Sequence, residues 1–274
     1  MTQVPNVTLN TGASMPQLGY GVFQVPADEV IAPVHAALDA GYRSIDTAKV
    51  YGNEEGVGKA IADSGIKRED LFVTTKLWND DQGYDSTLKA FDDSLSRLGL
   101  DYVDLYLIHW PAPSQDAYVD TWKAFQEIHK SGRAKAIGVS NFQIPHLRRL
   151  FDETDIVPAL NQIELHPNLP QADLRAFHTE HGIITEAWSP LGRNNGLLDS
   201  ATVANLAEKY GKTPAQIVLR WHIELGNVTI PKSVTPSRIK ENIEVFDFEL
   251  AQDDVKALTA LETGVRVGPN PDDM

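Results

Sequence analysis

The sequence predicts one α/β domain over residues 1–274, a single (β/α)8 TIM barrel with an N-terminal β-hairpin. Two observations carry that prediction. Eight short β-favouring runs alternate with helical patterns, and no Pro/Gly/Ser-rich linker interrupts them, which favours a closed barrel over a doubly wound open sheet. Several of those runs also end on polar residues, and in a parallel barrel all such ends open on one mouth.

Taken in order, residues 4–21 read as a hairpin, with its turn near 10–13, leading into a first barrel strand at 18–21. A helix over 27–40 has apolar residues at helical spacing and stops at Gly41, a residue suited to the left-handed position past a helix end. A strand at 42–46 and a helix at 55–64, closed by Gly65, come next. Strand 71–76 is followed by an amphipathic helix at 84–98, closed by Gly99. The rhythm continues with strand 103–109, helix 118–131, strand 134–139, helix 144–151, strand 159–163, helix 172–181 and strand 183–188. Helices at 201–211 and 214–225, strand 228–230, and helices at 236–244 and 252–261 complete it.

The bulk composition narrows the function classes. A formal charge of −14 argues against nucleic acid as a partner, because phosphate backbones call for a basic surface. The absence of cysteine removes disulfide frameworks and thiolate chemistry. No run of about 18 apolar residues offers a membrane span, and the opening MTQVPNVTLN lacks the regions of a secretion signal. A soluble cytoplasmic monomer without membrane partners is the expectation.

The chain is organised around residues 42–55, YRSIDTAKVYGNEE. A strand delivers Asp46 at its end and Tyr51 follows in a loop, while two later strands stop at Lys76 and His109. Singly, these would read as a cap, a packing ring, a solvated charge and a buried histidine. On one barrel mouth they form a general-acid centre. An ammonium beside a phenol lowers its pKa from about 10. Lys76 would supply that charge, Asp46 would hold Lys76, and His109 would orient a carbonyl toward Tyr51. Such a centre protonates an oxygen while a hydride arrives at carbon.

A hydride needs a donor, yet neither GxGxxG nor GxxxxGK[ST] occurs. The segment IPKSVTPSRIKEN at 230–242 offers a different phosphate site. Thr235 before Pro236 has the form of a helix N-cap, the first amides would face an anion, and Lys232 and Arg238 would add charge. A capped surface helix with ordinary basic residues reads equally well there until the barrel places the segment after its last strands. The pair His178 and His181 lacks accompanying metal ligands and reads as a wet helix end. GVSNF at 138–142 lacks the second glycine of a nucleophile elbow, so neither a metal nor a covalent nucleophile is expected.

At these residues the chain resembles the aldo-keto reductase family, most of all the bacterial 2,5-diketo-D-gluconate reductases. The stretches that carry the resemblance are LGYGVFQVP at 18–26, YRSIDTAKVYGNEEGVGKAI at 42–61, TTKLWN at 74–79 and DLYLIHWP at 104–111. IGVSNF at 137–142, NQIELHP at 161–167 and IPKSVTPSRIKENIEVFDFEL at 230–250 complete the set. The resemblance implies Tyr51 as general acid, with Lys76 and Asp46 as its tuners and His109 as the orienting group. It implies NADPH as cofactor, its carboxamide held by Ser140, Asn141 and Gln162 and its nicotinamide stacked on Trp188, where many members carry Tyr. Ser189 and Leu191 would line the pyrophosphate; Lys232, Ser233, Arg238, Glu241 and Asn242 would bind the adenosine end. The Lys232 and Arg238 pair points to NADPH over NADH.

Phe23, Trp78 and Trp110, with His109, match the family's substrate-pocket positions, although rings near a barrel mouth also serve as loop packing. The short loop after His109 and the short tail after Leu261 imply an open, polar-tolerant pocket for a small carbonyl such as a keto sugar acid or methylglyoxal. Two rival readings share these residues: an NADPH-sensing regulatory subunit of the same fold, and a barrel isomerase or lyase that works without nicotinamide. The intact set Asp46, Tyr51, Lys76 and His109 argues against the first, and failure to bind NADPH would favour the second.

Overall fold

The computed structural model describes residues 4–274. Alternation of β-branched and aromatic runs with amphipathic ones yields eight parallel strands, each but the first reached through at least one helix. The antiparallel hairpin β1 (Asn6–Thr8) and β2 (Ser14–Pro16) comes first, and the barrel strands are β3 (Tyr20–Gly21), β4 (Ser44–Asp46), β5 (Phe72–Leu77), β6 (Val103–Ile108), β7 (Ala134–Ser140), β8 (Leu160–Glu164), β9 (Ile184–Trp188) and β10 (Val228–Thr229). Each pairs in parallel with its neighbours in chain order. A parallel bridge between Leu18 and Thr229 joins the first strand to the last, with the Gly19 amide donating to the Thr229 carbonyl at 2.9 Å. The barrel is therefore closed.

The helices are α1 (Ile31–Ala40), α2 (Glu54–Asp63), α3 (Tyr84–Leu98), α4 (Tyr118–Lys130), α5 (Ile144–Glu153), α6 (Ala172–Glu180), α7 (Ala201–Tyr210), α8 (Pro214–Glu224), α9 (Pro236–Ile243) and α10 (Gln252–Thr259). Boundaries differ from the sequence expectation by a residue or two, except that α1 begins at Ile31 rather than 27, where the chain still runs through turns. α2 and α3 approach so closely at Gly58 that a Cβ there would lie 2.0 Å from the Leu98 carbonyl oxygen. Glu54, buried at the start of α2, accepts from Thr75 Oγ1 at 2.6 Å and from Arg97 Nε at 2.7 Å, tying helix, strand and next helix together.

Two apolar layers result. The larger fills the space between strands and helices, with Trp122, Phe125, Tyr106 and Trp221 fully buried in it. The smaller lies inside the barrel's lower end, where Leu9 and Met15 of the hairpin pack on Phe72, Leu105, Leu107, Leu160 and Val228. That hairpin stoppers the bottom. Polar side chains inside the barrel then collect at its upper end, beneath the mouth.

Candidate active site at the barrel mouth

Three adjacent strands build the centre. β4 ends on Asp46, β5 carries Lys76 next to its end, and His109 follows β6, its amide donating to the Leu77 carbonyl at 3.1 Å. Side chains alternate along a strand, so Thr75 faces Glu54 on α2 while Lys76 faces inward. Tyr51 sits in the 3-10 turn Lys49–Tyr51, placed by Asn53 just beyond it. The Asn53 amide donates to the Val22 and Val25 carbonyls at 3.1 and 3.0 Å and accepts from Thr47 Oγ1 at 2.8 Å, which locks the loops after β3 and β4 together.

Lys76 Nζ donates to Asp46 Oδ1 at 2.6 Å, to the Thr47 carbonyl at 3.0 Å and to the Tyr51 hydroxyl at 3.5 Å. Burial disfavours the ammonium, but Asp46, with Tyr51 and Glu186 adding to it, more than offsets burial and the Lys76 pKa ends above its ordinary value. For Tyr51 the sequence expectation is corrected. Burial raises its pKa above 10 and Lys76 only partly offsets this, so the phenol stays protonated at neutral pH. The His109 ring lies 5.7 Å from the Tyr51 ring, and burial followed by the Lys76 charge pushes its pKa well below 6.5, leaving a neutral imidazole. Among the described residues its Nδ1 has no hydrogen-bond partner.

The aromatic residues named from the sequence surround this centre. Phe23, 43% exposed, lies 5.1 Å from the Tyr51 ring, and Trp78 stands edge-on to His109 at 5.4 Å. Trp110 is nearly parallel to His109 at 6.4 Å and edge-on to Trp188 at 6.5 Å. Trp188 Nε1 donates to Asn141 Oδ1 at 2.7 Å, and the Asn141 amide donates to the His109 carbonyl and Ser140 Oγ. Asn141 adopts φ 64°, a conformation Asn tolerates better than most residues. Ser140 Oγ in turn donates to the Gln162 carbonyl at 2.8 Å.

Two further carboxylates complete the picture, and sequence reasoning left out the first of them. Glu186 points into the barrel from β9, one of a pair of carboxylates that share the Gln162 amide: Gln162 Nε2 donates to Asp46 Oδ2 at 2.9 Å and to Glu186 Oε2 at 2.7 Å. Burial first, then the Asp46 charge, pushes Glu186 up to about 8. Glu164 also faces inward, accepting from His166 Nε2 at 2.9 Å and from the backbone amides of Val267 and Gly268 at 2.6 and 3.0 Å. The segment after Leu261 thus returns to the mouth. A Cβ on Gly268 would lie 2.4 Å from the Trp188 ring.

The residues expected to take phosphate stand beyond β10. Lys232 and Arg238 are exposed and form no ion pair among the described residues. Thr235 occupies the N-cap of α9 without a side-chain capping bond, so it leaves the first helix amides to other acceptors. Ser233 is held from below by Tyr20, whose hydroxyl donates to the Ser233 carbonyl at 2.5 Å. Glu241 accepts from Thr213 Oγ1 at 2.7 Å and Asn242 is buried, so both are built into the α8–α9 packing. Ser189, at φ 49°, and the partly buried Leu191 form the turn after β9.

One expectation fails outright. His178 is not at a wet helix end: it is fully buried, bonded to Asn161 Nδ2 at 2.9 Å and Thr185 Oγ1 at 2.8 Å, and burial lowers its pKa to about 3. His181, three residues on, is exposed.

The model of the aldo/keto reductase family matches residues 9–263. The chain belongs to the aldo/keto reductase family. With that family it is an NADP-dependent oxidoreductase. The chain is similar to the methylglyoxal reductase DkgA of Salmonella typhimurium, 55% identical over 267 residues that cover 97% of this chain and 96% of that protein. An aldo/keto reductase from Brucella melitensis superposes with a TM-score of 0.92 at 60% identity, covering 95% of this chain and 100% of that one. A Bombyx mori aldo-keto reductase solved in complex with NADP has a TM-score of 0.93 at 40% identity, over 99% and 97% of the two chains. Among the described residues no helix is long and apolar enough to cross a membrane.

Proposed function

We propose that this aldo/keto reductase reduces small polar aldehydes and ketones with NADPH, with Tyr51 as the general acid. The observation that carries the reading is the buried chain Asp46–Lys76–Tyr51, in which a charged ammonium lies 2.6 Å from a carboxylate and 3.5 Å from a phenol. Four features of the mouth fit the cofactor. Among the described residues the α9 amides are free of a side-chain cap, Lys232 and Arg238 are in no ion pair, the Trp188 ring is fixed by Asn141, and no donor reaches Gln162 Oε1. Gln162, Ser140 and Asn141 would hold the carboxamide, Trp188 the ring, Ser189 and Leu191 the pyrophosphate. The segment from Lys232 to Asn242 would take the adenosine end.

When bound there, NADPH supplies a hydride to the carbonyl carbon. The chain's own residues do the rest. The Tyr51 hydroxyl gives its proton to the carbonyl oxygen, and the Lys76 ammonium stabilises the phenolate left behind. Asp46 keeps Lys76 charged and in place. His109, neutral, has one N–H with which to orient the carbonyl oxygen. Phe23, Trp78 and Trp110 would form the walls, with Phe23 the most exposed of the three. Methylglyoxal and keto sugar acids are the substrate classes proposed, on the strength of the DkgA likeness and the polar, short-looped mouth.

NADPH absorbance followed with diketogluconate, methylglyoxal, an aromatic aldehyde and a ketosteroid tests this reading. Oxidation led by one of the first two is expected. Tight NADPH binding without oxidation of any carbonyl would move the protein to a sensing role.

A further inference from the structure

We propose that Glu186 is a positioning residue for this reaction: with Asp46 it fixes the amide of Gln162, and its own proton sets the charge beneath the Asp46–Lys76 pair. The inference rests on the reading of the site as a carbonyl reductase. Its basis is geometric. Gln162 Nε2 has two hydrogens, and two carboxyl oxygens take them, Asp46 Oδ2 at 2.9 Å from β4 and Glu186 Oε2 at 2.7 Å from β9. An amide held at both N–H groups cannot rotate to exchange its ends without placing its oxygen against two acceptors. Gln162 Oε1 is therefore committed outward as an acceptor, the group that a carboxamide N–H requires. Asp46 alone would leave one N–H unclaimed.

Glu186 is 1% exposed and, among the described residues, has no cation bonded to it. The titratable groups that face it are Asp46 on β4, Lys76 on β5 and Tyr51 on the turn after β4. Lys76 is already committed to Asp46. A second anion in this space would be opposed by burial and by the Asp46 charge, which is why the Glu186 carboxyl holds its proton up to about 8. As a neutral acid it still accepts from Gln162 through its carbonyl oxygen. Once ionised, it raises the pKa of both Tyr51 and Lys76, making the phenol a weaker acid. Neither Tyr51, raised above 10, nor His109, lowered below 6.5, titrates near this pH.

The test compares wild type with Glu186→Gln, which keeps an acceptor but no titrating proton, and Glu186→Ala, which removes the acceptor. Three readouts are taken: turnover of methylglyoxal against pH, NADPH affinity by calorimetry, and urea unfolding of the cofactor-free protein at pH 6.5 and 9. The sign of the last follows from linkage. An acid whose folded pKa exceeds its unfolded value loses stability as pH rises, here from about 4.5 to about 8. Wild type should show a fall in turnover with its midpoint at about pH 8, and should lose stability between pH 6.5 and 9 relative to Glu186→Gln, whose turnover lacks that fall. Glu186→Ala should weaken NADPH by about 2- to 10-fold, the worth of one hydrogen bond. An unchanged fall in turnover and unchanged unfolding slope in Glu186→Gln, or wild-type NADPH affinity in Glu186→Ala, overturns the proposal. If wild type oxidises NADPH with no carbonyl, the reductase reading fails, and the affinity and unfolding measurements still decide the role of Glu186.

Discussion

Lys76 Nζ lies 2.6 Å from Asp46 Oδ1, and the two side chains are 0% and 4% exposed. An ion pair this dry is maintained only while both partners are present, because either charge alone would face the barrel interior uncompensated. Asp46→Asn is expected to lower stability by about 3–5 kcal/mol in urea unfolding. It should also lower the Lys76 pKa and with it turnover, since the ammonium would lose the carboxylate that keeps it charged. A variant as stable as wild type would show that the pair is not a structural requirement.

Tyr51→Phe keeps the ring against Phe23 and His109 and removes only the hydroxyl. Turnover should fall about 10²–10⁴-fold, the usual worth of general acid catalysis, while NADPH affinity is retained. Near-normal turnover in single-turnover kinetics would assign the proton to another group.

Arg238 stands exposed at the start of α9 with no acidic partner among the described residues. Arg238→Ala should weaken NADPH by about 1–3 kcal/mol, the cost of a lost charged hydrogen bond, and leave NADH nearly unchanged. Equal losses for the two cofactors, measured by fluorescence titration, would remove Arg238 from the 2′-phosphate.

Gly268→Ala would place a methyl group 2.4 Å from the Trp188 ring and 3.2 Å from Glu164 Oε2. Ring and tail cannot both keep their positions. Weaker NADPH binding and faster proteolytic cleavage of the tail are expected together, and a variant unchanged in both would show that the tail yields freely.

His178 and His222 are both fully buried, with pKa values pushed down to about 3. The unfolded chain binds a proton at each from about pH 6.5, which the native state refuses until about pH 3. Stability is therefore complete above 6.5 and falls as the pH drops through that window, by about 1.4 kcal/mol per unit for each histidine. His178→Asn should have a shallower decline between pH 7 and 5 in urea unfolding. An identical slope would mean that water reaches His178.

What the sequence revealed of this site, and what it concealed, follows from where each residue's partners lie. Asp46, Lys76 and His109 were legible because each ends a β-favouring run, so the strand rule alone places them on the mouth. Glu186 was not, since a lone acid inside IITEAW has no neighbour in sequence to explain it; its partners, Gln162 and Asp46, come from β8 and β4. His178 was misread for the same reason, its bonds being to Asn161 and Thr185 across the helix–barrel interface. The direction of the Tyr51 pKa was misjudged because Lys76 can be seen in a sequence and burial cannot. The strand rhythm itself needed only local periodicity and survived intact.

The hairpin stopper gives the barrel one opening. Leu9 and Met15, with Leu105 and Leu107 above them, form an apolar floor under Asp46, Lys76, Gln162 and Glu186. That floor seals the lower side of the group, so a ligand approaches it from the side on which Tyr51 lies.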